Sequence, residues 1–125
     1  MKREIAASFD ETLARLPELL KTEGFGVLTE IDVRKTFENK LGVEFRRYTI
    51  LGACNPKLAH EALTKDLDVG VLLPCNVALY ELAPGRTMVS AVDPVVAIGQ
   101  LGGEAFTDLA ADVKARLARV LEKLA

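Results

Sequence analysis

The chain has 125 residues, half of them hydrophobic and 27% charged, enough for one domain with a real core and too short for separate cofactor and substrate modules. A formal charge of −2 with 16 basic residues scattered along the chain argues against a nucleic-acid surface, which needs clustered Lys and Arg to neutralise phosphate. Two cysteines are too few for a disulfide framework and point to thiols in a reducing cytosol.

The opening Met1-Lys2-Arg3-Glu4-Ile5 leads into Ala6-Ala7-Ser8-Phe9-Asp10 with no apolar run long enough for a secretory signal, so a cytoplasmic location is expected. Residues 2–7 read as a short strand. Ser8-Phe9-Asp10-Glu11 is a capping box, in which Ser8 and Glu11 each satisfy an orphan backbone donor. Phe9, Leu13, Leu16, Leu19 and Leu20 recur at helical spacing up to Glu23, Gly24 supplies the left-handed stop, and Pro17 predicts a kink or restart. Over 26–33, Val27, Thr29, Ile31 and Val33 alternate with Leu28, Glu30 and Asp32, the pattern of a half-buried strand. Residues 34–41 read as a short helix or an ordered loop closed by Gly42.

Residues 43–51, aromatic and β-branched, predict a strand antiparallel to the previous one. Asn55-Pro56 is a helix start, an N-cap followed by proline at the first helical position, and Leu58, Ala59, Ala62 and Leu63 supply the apolar face. Residues 69–82, interrupted at Pro74, read as one broken strand or two, and Pro84-Gly85 suits a type II turn into a strand over 87–92. The apolar stretch 88–103 is broken by Asp93-Pro94 and Gly99-Gln100 and falls short of the roughly 20 residues that span a bilayer. In 104–125, Phe106, Ala110, Val113, Leu117, Val120 and Leu124 form one stripe, with acids early and bases late as the helix dipole prefers. Strands near 2–7, 26–33, 43–51, 71–82 and 87–92 with helices between and after them predict a two-layer α+β domain, a mainly antiparallel sheet covered by helices, with a long C-terminal helix. No linker or low-complexity tract divides the chain, so residues 1–125 are expected to form a single domain. Three Asn and one Gln among 125 residues fit a thermophilic source poor in thermolabile amides.

Two Cys-Asn doublets, Cys54-Asn55 and Cys75-Asn76, lie at breaks between elements. A thiol just before a helix start is placed to become a thiolate; free cysteine is equally a small buried hydrophobe, and Asn55 is explained by capping alone. His60, the single histidine, shares the polar side of its helix with Lys57, Glu61 and Thr64, and the Cys spacing with His60, Glu30, Asp32 or Asp93 matches no zinc pattern. Glu30, Asp32, Glu81 and Asp93 could do acid/base work if two met in a pocket, and otherwise are solvated sheet residues. Gly99-Gln100-Leu101-Gly102-Gly103 could offer backbone N–H groups to an anion, or be a plain entry loop; it has neither a Walker lysine nor a GxGxxG register. Arg46-Arg47-Tyr48 is too small a cluster for an RNA-reading sheet.

The segments Gly24-Phe25-Gly26-Val27-Leu28-Thr29-Glu30-Ile31-Asp32-Val33, Tyr48-Thr49-Ile50-Leu51-Gly52-Ala53-Cys54-Asn55-Pro56 and Gly70-Val71-Leu72-Leu73-Pro74-Cys75-Asn76-Val77, with Asp93-Pro94, make the chain resemble the domain-of-unknown-function 302 family over nearly its whole length. The resemblance implies a small α+β fold and a homodimer, and attaches no reaction to it. It also keeps the two doublets together, so Cys54, Asn55, Cys75 and Asn76 are the expected centre of any site, with Glu30, Asp32 and Asp93 as polar neighbours. Three functions compete: a pocket for a small ligand or partner at the doublets, a thiol-based redox or metal-dependent activity of Cys54 and Cys75, and a structural role. In the structural role, the strip 95–101 or a face of the last helix would form a dimer interface.

Overall fold

The computed structural model describes residues 1–99 and 103–125. The Ser8 hydroxyl accepts from the Glu11 N–H at 3.1 Å and starts helix α1, Phe9–Thr22, which follows strand β1, Lys2–Ile5. α1 runs through Pro17 without restarting and buries Phe9, Thr12, Leu16 and Leu20. Gly24, at φ +85°, turns the chain into strand β2, Gly26–Asp32. Asp32 caps helix α2, Val33–Leu41, by accepting from the Lys35 N–H at 3.0 Å.

Strand β3 is Tyr48–Cys54, helix α3 Pro56–Lys65, strand β4 Cys75–Ala83, and strand β5 Arg86–Ala91. Helix α4, Pro94–Gly99, and helix α5, Thr107–Leu124, complete the chain. The five strands form one antiparallel sheet in the order β1-β5-β4-β3-β2. Strand alternation sends Thr49, Leu51, Ala53, Val77, Leu79, Val89 and Ala91 into the core against α1 and α5. All six residues of the predicted C-terminal stripe are buried there, so the last helix spends its apolar face on its own core and offers none to a partner.

Several boundaries differ from the sequence reading. β3 begins at Tyr48, because Phe45 leaves the ladder to meet Phe37 of α2 edge-on, ring centroids 5.1 Å apart. Residues Leu67–Leu72 form a 3₁₀ helix instead of strand, nucleated by the Asp66 carboxylate accepting from the Asp68 N–H at 2.9 Å. The alternation over 26–33 is broken by a bulge between Val27 and Thr29. Val27 then pairs with core-facing Ala53, while Ile31 pairs with Ile50 on the opposite face. α4 replaces part of the apolar strip 95–101; Gln100 and Leu101, and with them the centre of the Gly99–Gly103 loop, lie outside the described residues. Its start is the same device as at α3, the Asp93 carboxylate accepting from the Val95 N–H at 3.0 Å just before Pro94.

Candidate functional site

The register of the sheet builds the site. Cys75, the first residue of β4, lies opposite Ala53 of β3, so the C-terminal end of β3 and the beginning of β4 present Cys54 and Cys75 side by side. α3 departs directly from Cys54 through Asn55, and Pro74 precedes Cys75. These residues enclose a cavity of about 40 Å³ lined by Cys54, Asn55 and Cys75. Its remaining wall is apolar and includes Phe25, Ala59, Leu73, Ile98 and Val113. That volume exceeds the 10–15 Å³ a single water needs and holds only a few non-hydrogen atoms.

Two glycines set the walls. A Cβ on Gly52 would stand 2.7 Å from Pro74 Cγ, closer than carbon atoms approach, so only glycine lets Pro74 sit over β3. A Cβ on Gly24 would stand 2.8 Å from Asn55 Nδ2. Asn55 needs that space: its Oδ1 accepts from the Leu58 N–H at 3.3 Å, and its Nδ2 donates to the Glu23 carbonyl at 3.4 Å. The side chain therefore braces the end of α1 against the start of α3, while its edge faces the cavity. Arg116 Nη1 donates to the same Glu23 carbonyl at 3.1 Å, and the Glu23 carboxylate binds Arg119 at 2.9 Å and Lys123 at 3.0 Å. Hydrogen bonds from Arg119 and Lys123 hold the Glu23 pKa down to about 2.

The Cys75 thiol is pushed up to about 11, first by burial and then by the nearby Cys54. It is therefore a protonated thiol near neutral pH, a weak donor on an apolar wall. Among the described residues no group of three or more His, Cys, Asp or Glu could hold a metal ion, and His60 is exposed on α3.

The other residues expected at the doublets are placed elsewhere. Asn76 is exposed, one step along β4 from Cys75 and so on the opposite face of the sheet; its backbone carbonyl accepts from the Val92 N–H at 3.1 Å. Glu30 and Asp32 line a separate polar cleft with Phe9, Arg34 and Arg47, because core-side pairing with Leu51 and Thr49 aims them toward α1. Asp93 stands just before Pro94, which does line the cavity, but its carboxylate is held by Lys114 at 2.8 Å and by the α4 cap. The Lys114 hydrogen bond leads in lowering its pKa. Glu81 pairs with Thr87 in the hairpin. The apolar wall takes in Phe25, Ala59, Ile98 and Val113, of which the sequence pattern marks only Ala59 and Val113 as lying on apolar helix faces.

Comparison with known proteins agrees with this fold. The family model described as "Domain of unknown function DUF302" matches residues 1–124. A crystal structure of an uncharacterized conserved DUF302 protein from Bacillus stearothermophilus is similar over 100% of this chain and 97% of that chain. The two share 34% identity and a TM-score of 0.92. No curated protein matches the sequence.

Proposed function

The chain belongs to the DUF302 family, and we propose that it is a homodimeric module that binds a small apolar or sulfur-seeking ligand in the cavity between β3, β4 and α3. One observation carries this reading: the two cysteines, 21 positions apart in sequence, meet with Asn55 on one cavity whose remaining wall is apolar. A mostly apolar pocket with a few fixed polar atoms is the usual form of a small-ligand site. The cavity of about 40 Å³ limits the ligand, or the part of it that enters, to a few heavy atoms. The ligand contacts are assigned to Cys54 and Cys75; Asn55 holds the wall, and Asp93 positions α4 behind it. Native mass spectrometry of protein purified gently from its own host tests this: a defined extra mass is expected, and it should vanish in the Cys54→Ser/Cys75→Ser variant. A bare protein, or a bound mass indifferent to both substitutions, overturns the reading.

The shared cavity also favours a second reading, a dithiol that closes to a disulfide by giving two electrons and two protons to a small oxidant. The raised pKa of Cys75 opposes it, because attack requires thiolate. In Cys54→Ser protein, alkylation of Cys75 is expected to be slow at neutral pH and to accelerate about tenfold per pH unit into the alkaline range, because burial, the larger cause of the raised pKa, remains. Rapid alkylation at neutral pH would favour the dithiol.

A further inference from the structure

We infer that residues 26–47, together with the uncovered face of the sheet beside them, form the surface on which a second copy of this chain docks. The inference goes beyond the cavity and gives the proposed homodimer its interface. Over these 22 consecutive positions, comprising all of β2, α2 and the segment leading to β3, no residue is buried. The segment is nevertheless rich in apolar side chains: Leu28 is 66% exposed, Ile31 47%, Leu41 68%, Val43 46% and Phe45 40%. A nine-residue helix such as α2 is marginal in water without an apolar surface to pack on, and α2 buries none of its residues within its own chain.

The arm adjoins bare sheet. Ile31 pairs with Ile50, Ile50 with Ala78, and Tyr48 with Tyr80, all on the face away from α1 and α5. Phe37, Phe45, Tyr48 and Tyr80 form a continuous aromatic row there, ending in a stacked pair with centroids 5.3 Å apart. β2 is also an edge strand seven residues long, with an unpaired row of backbone donors and acceptors.

Two features select a second copy as the occupant. Projecting apolar groups and a flat apolar face lie side by side on one chain, so a twofold axis sets the arm of each protomer against the surface of the other. Residues 26–47 carry five basic and four acidic side chains, a near-neutral mixture that attracts neither nucleic acid nor a strongly charged protein and pairs with itself under a twofold. An interface of standard size takes ~800 Å² from each partner, about a tenth of the 7332 Å² this chain exposes.

Sedimentation equilibrium of the full chain and of two exposed-site variants tests the inference. The parent is expected as a dimer near twice 13.6 kDa. Ile31→Glu and Phe45→Glu should each raise the dimer dissociation constant roughly 30-fold or more while keeping the parent far-UV spectrum. Val96→Glu, on the rival apolar patch of α4 and 61% exposed, should leave the dimer intact. Hydrogen exchange on the unaltered protein provides a check independent of any variant, with protection over 26–41 expected to fall on dilution. A monomeric parent overturns the inference and the homodimer with it. A dimer that survives both arm variants, yields to Val96→Glu, or shows no dilution-dependent exchange over the arm overturns this interface while leaving dimerisation standing.

Discussion

Glu23 shows how much one side chain can organise. Its carboxylate receives Arg119 and Lys123 while its carbonyl receives Asn55 and Arg116, so one residue at the end of α1 ties α3 and α5 together behind the cavity. Its folded pKa is depressed to about 2, from the ordinary 4.5. A depressed carboxylate contributes stability that is complete above the unfolded pKa and is lost as pH falls through the folded one. Glu23→Gln should therefore lower the melting temperature at pH 7, and the gap to the parent should close as pH is taken from about 4.5 down to about 2. Thermal unfolding followed by circular dichroism across that range measures it; a gap independent of pH would show that the charge is not what acts. None of this was legible in the sequence, where Glu23 is simply the last residue before a glycine.

At the scale of elements, the clearest helix starts were those with a side-chain cap. Asn55-Pro56 and Ser8 behaved as their chemistry predicts. Asp93-Pro94 carries the same signature and starts α4; it could have been recognised as a helix start and was read only as a break. Asn55 does more than cap, since its amide also reaches Glu23. Asn55→Ala is expected to cost at least about 1 kcal/mol, toward the upper part of the ~0.5–2 kcal/mol range for lost caps. In urea this should appear as a lower midpoint with an unchanged slope, and a shift within a few tenths of a kcal/mol would mean that neither the cap nor the bond to Glu23 contributes. Strand limits were harder to read than helix starts. Residues 43–47 have β-forming composition, yet Phe45 is drawn to Phe37, a contact that exists only once α2 has folded back beside β3.

Across the whole molecule, stability is concentrated where β3, β4 and β5 meet α1 and α5, and it thins toward β2. Leu79, fully buried in the central strand, should cost about 2–5 kcal/mol when cut to Ala, measured by chemical denaturation. A loss below ~1 kcal/mol would contradict the packing described. That contrast places the cavity at the rim of the core, between the ends of β3 and β4 and the two short elements α3 and α4. No helix of the described residues is long and apolar enough to cross a membrane.

What the sequence by itself determined was local: the caps, the glycine stops, the apolar stripe of the last helix, the turn at Pro84-Gly85 with Gly85 at φ +77°, and hence an antiparallel α+β domain. These follow from backbone sterics and side-chain periodicity, which act over a few residues and are written in neighbouring letters. Which candidate residues share a cavity was decided only by the tertiary structure. Cys54 and Cys75 meet because β3 and β4 pair in one register; Asn76 leaves because adjacent strand residues point to opposite faces; Glu30 and Asp32, which the bulge in β2 turns to the helix side, leave because their partners Leu51 and Thr49 lie further along β3 than the cavity reaches. Register and bulge placement depend on long-range packing against the helices, and no window of local sequence contains that information.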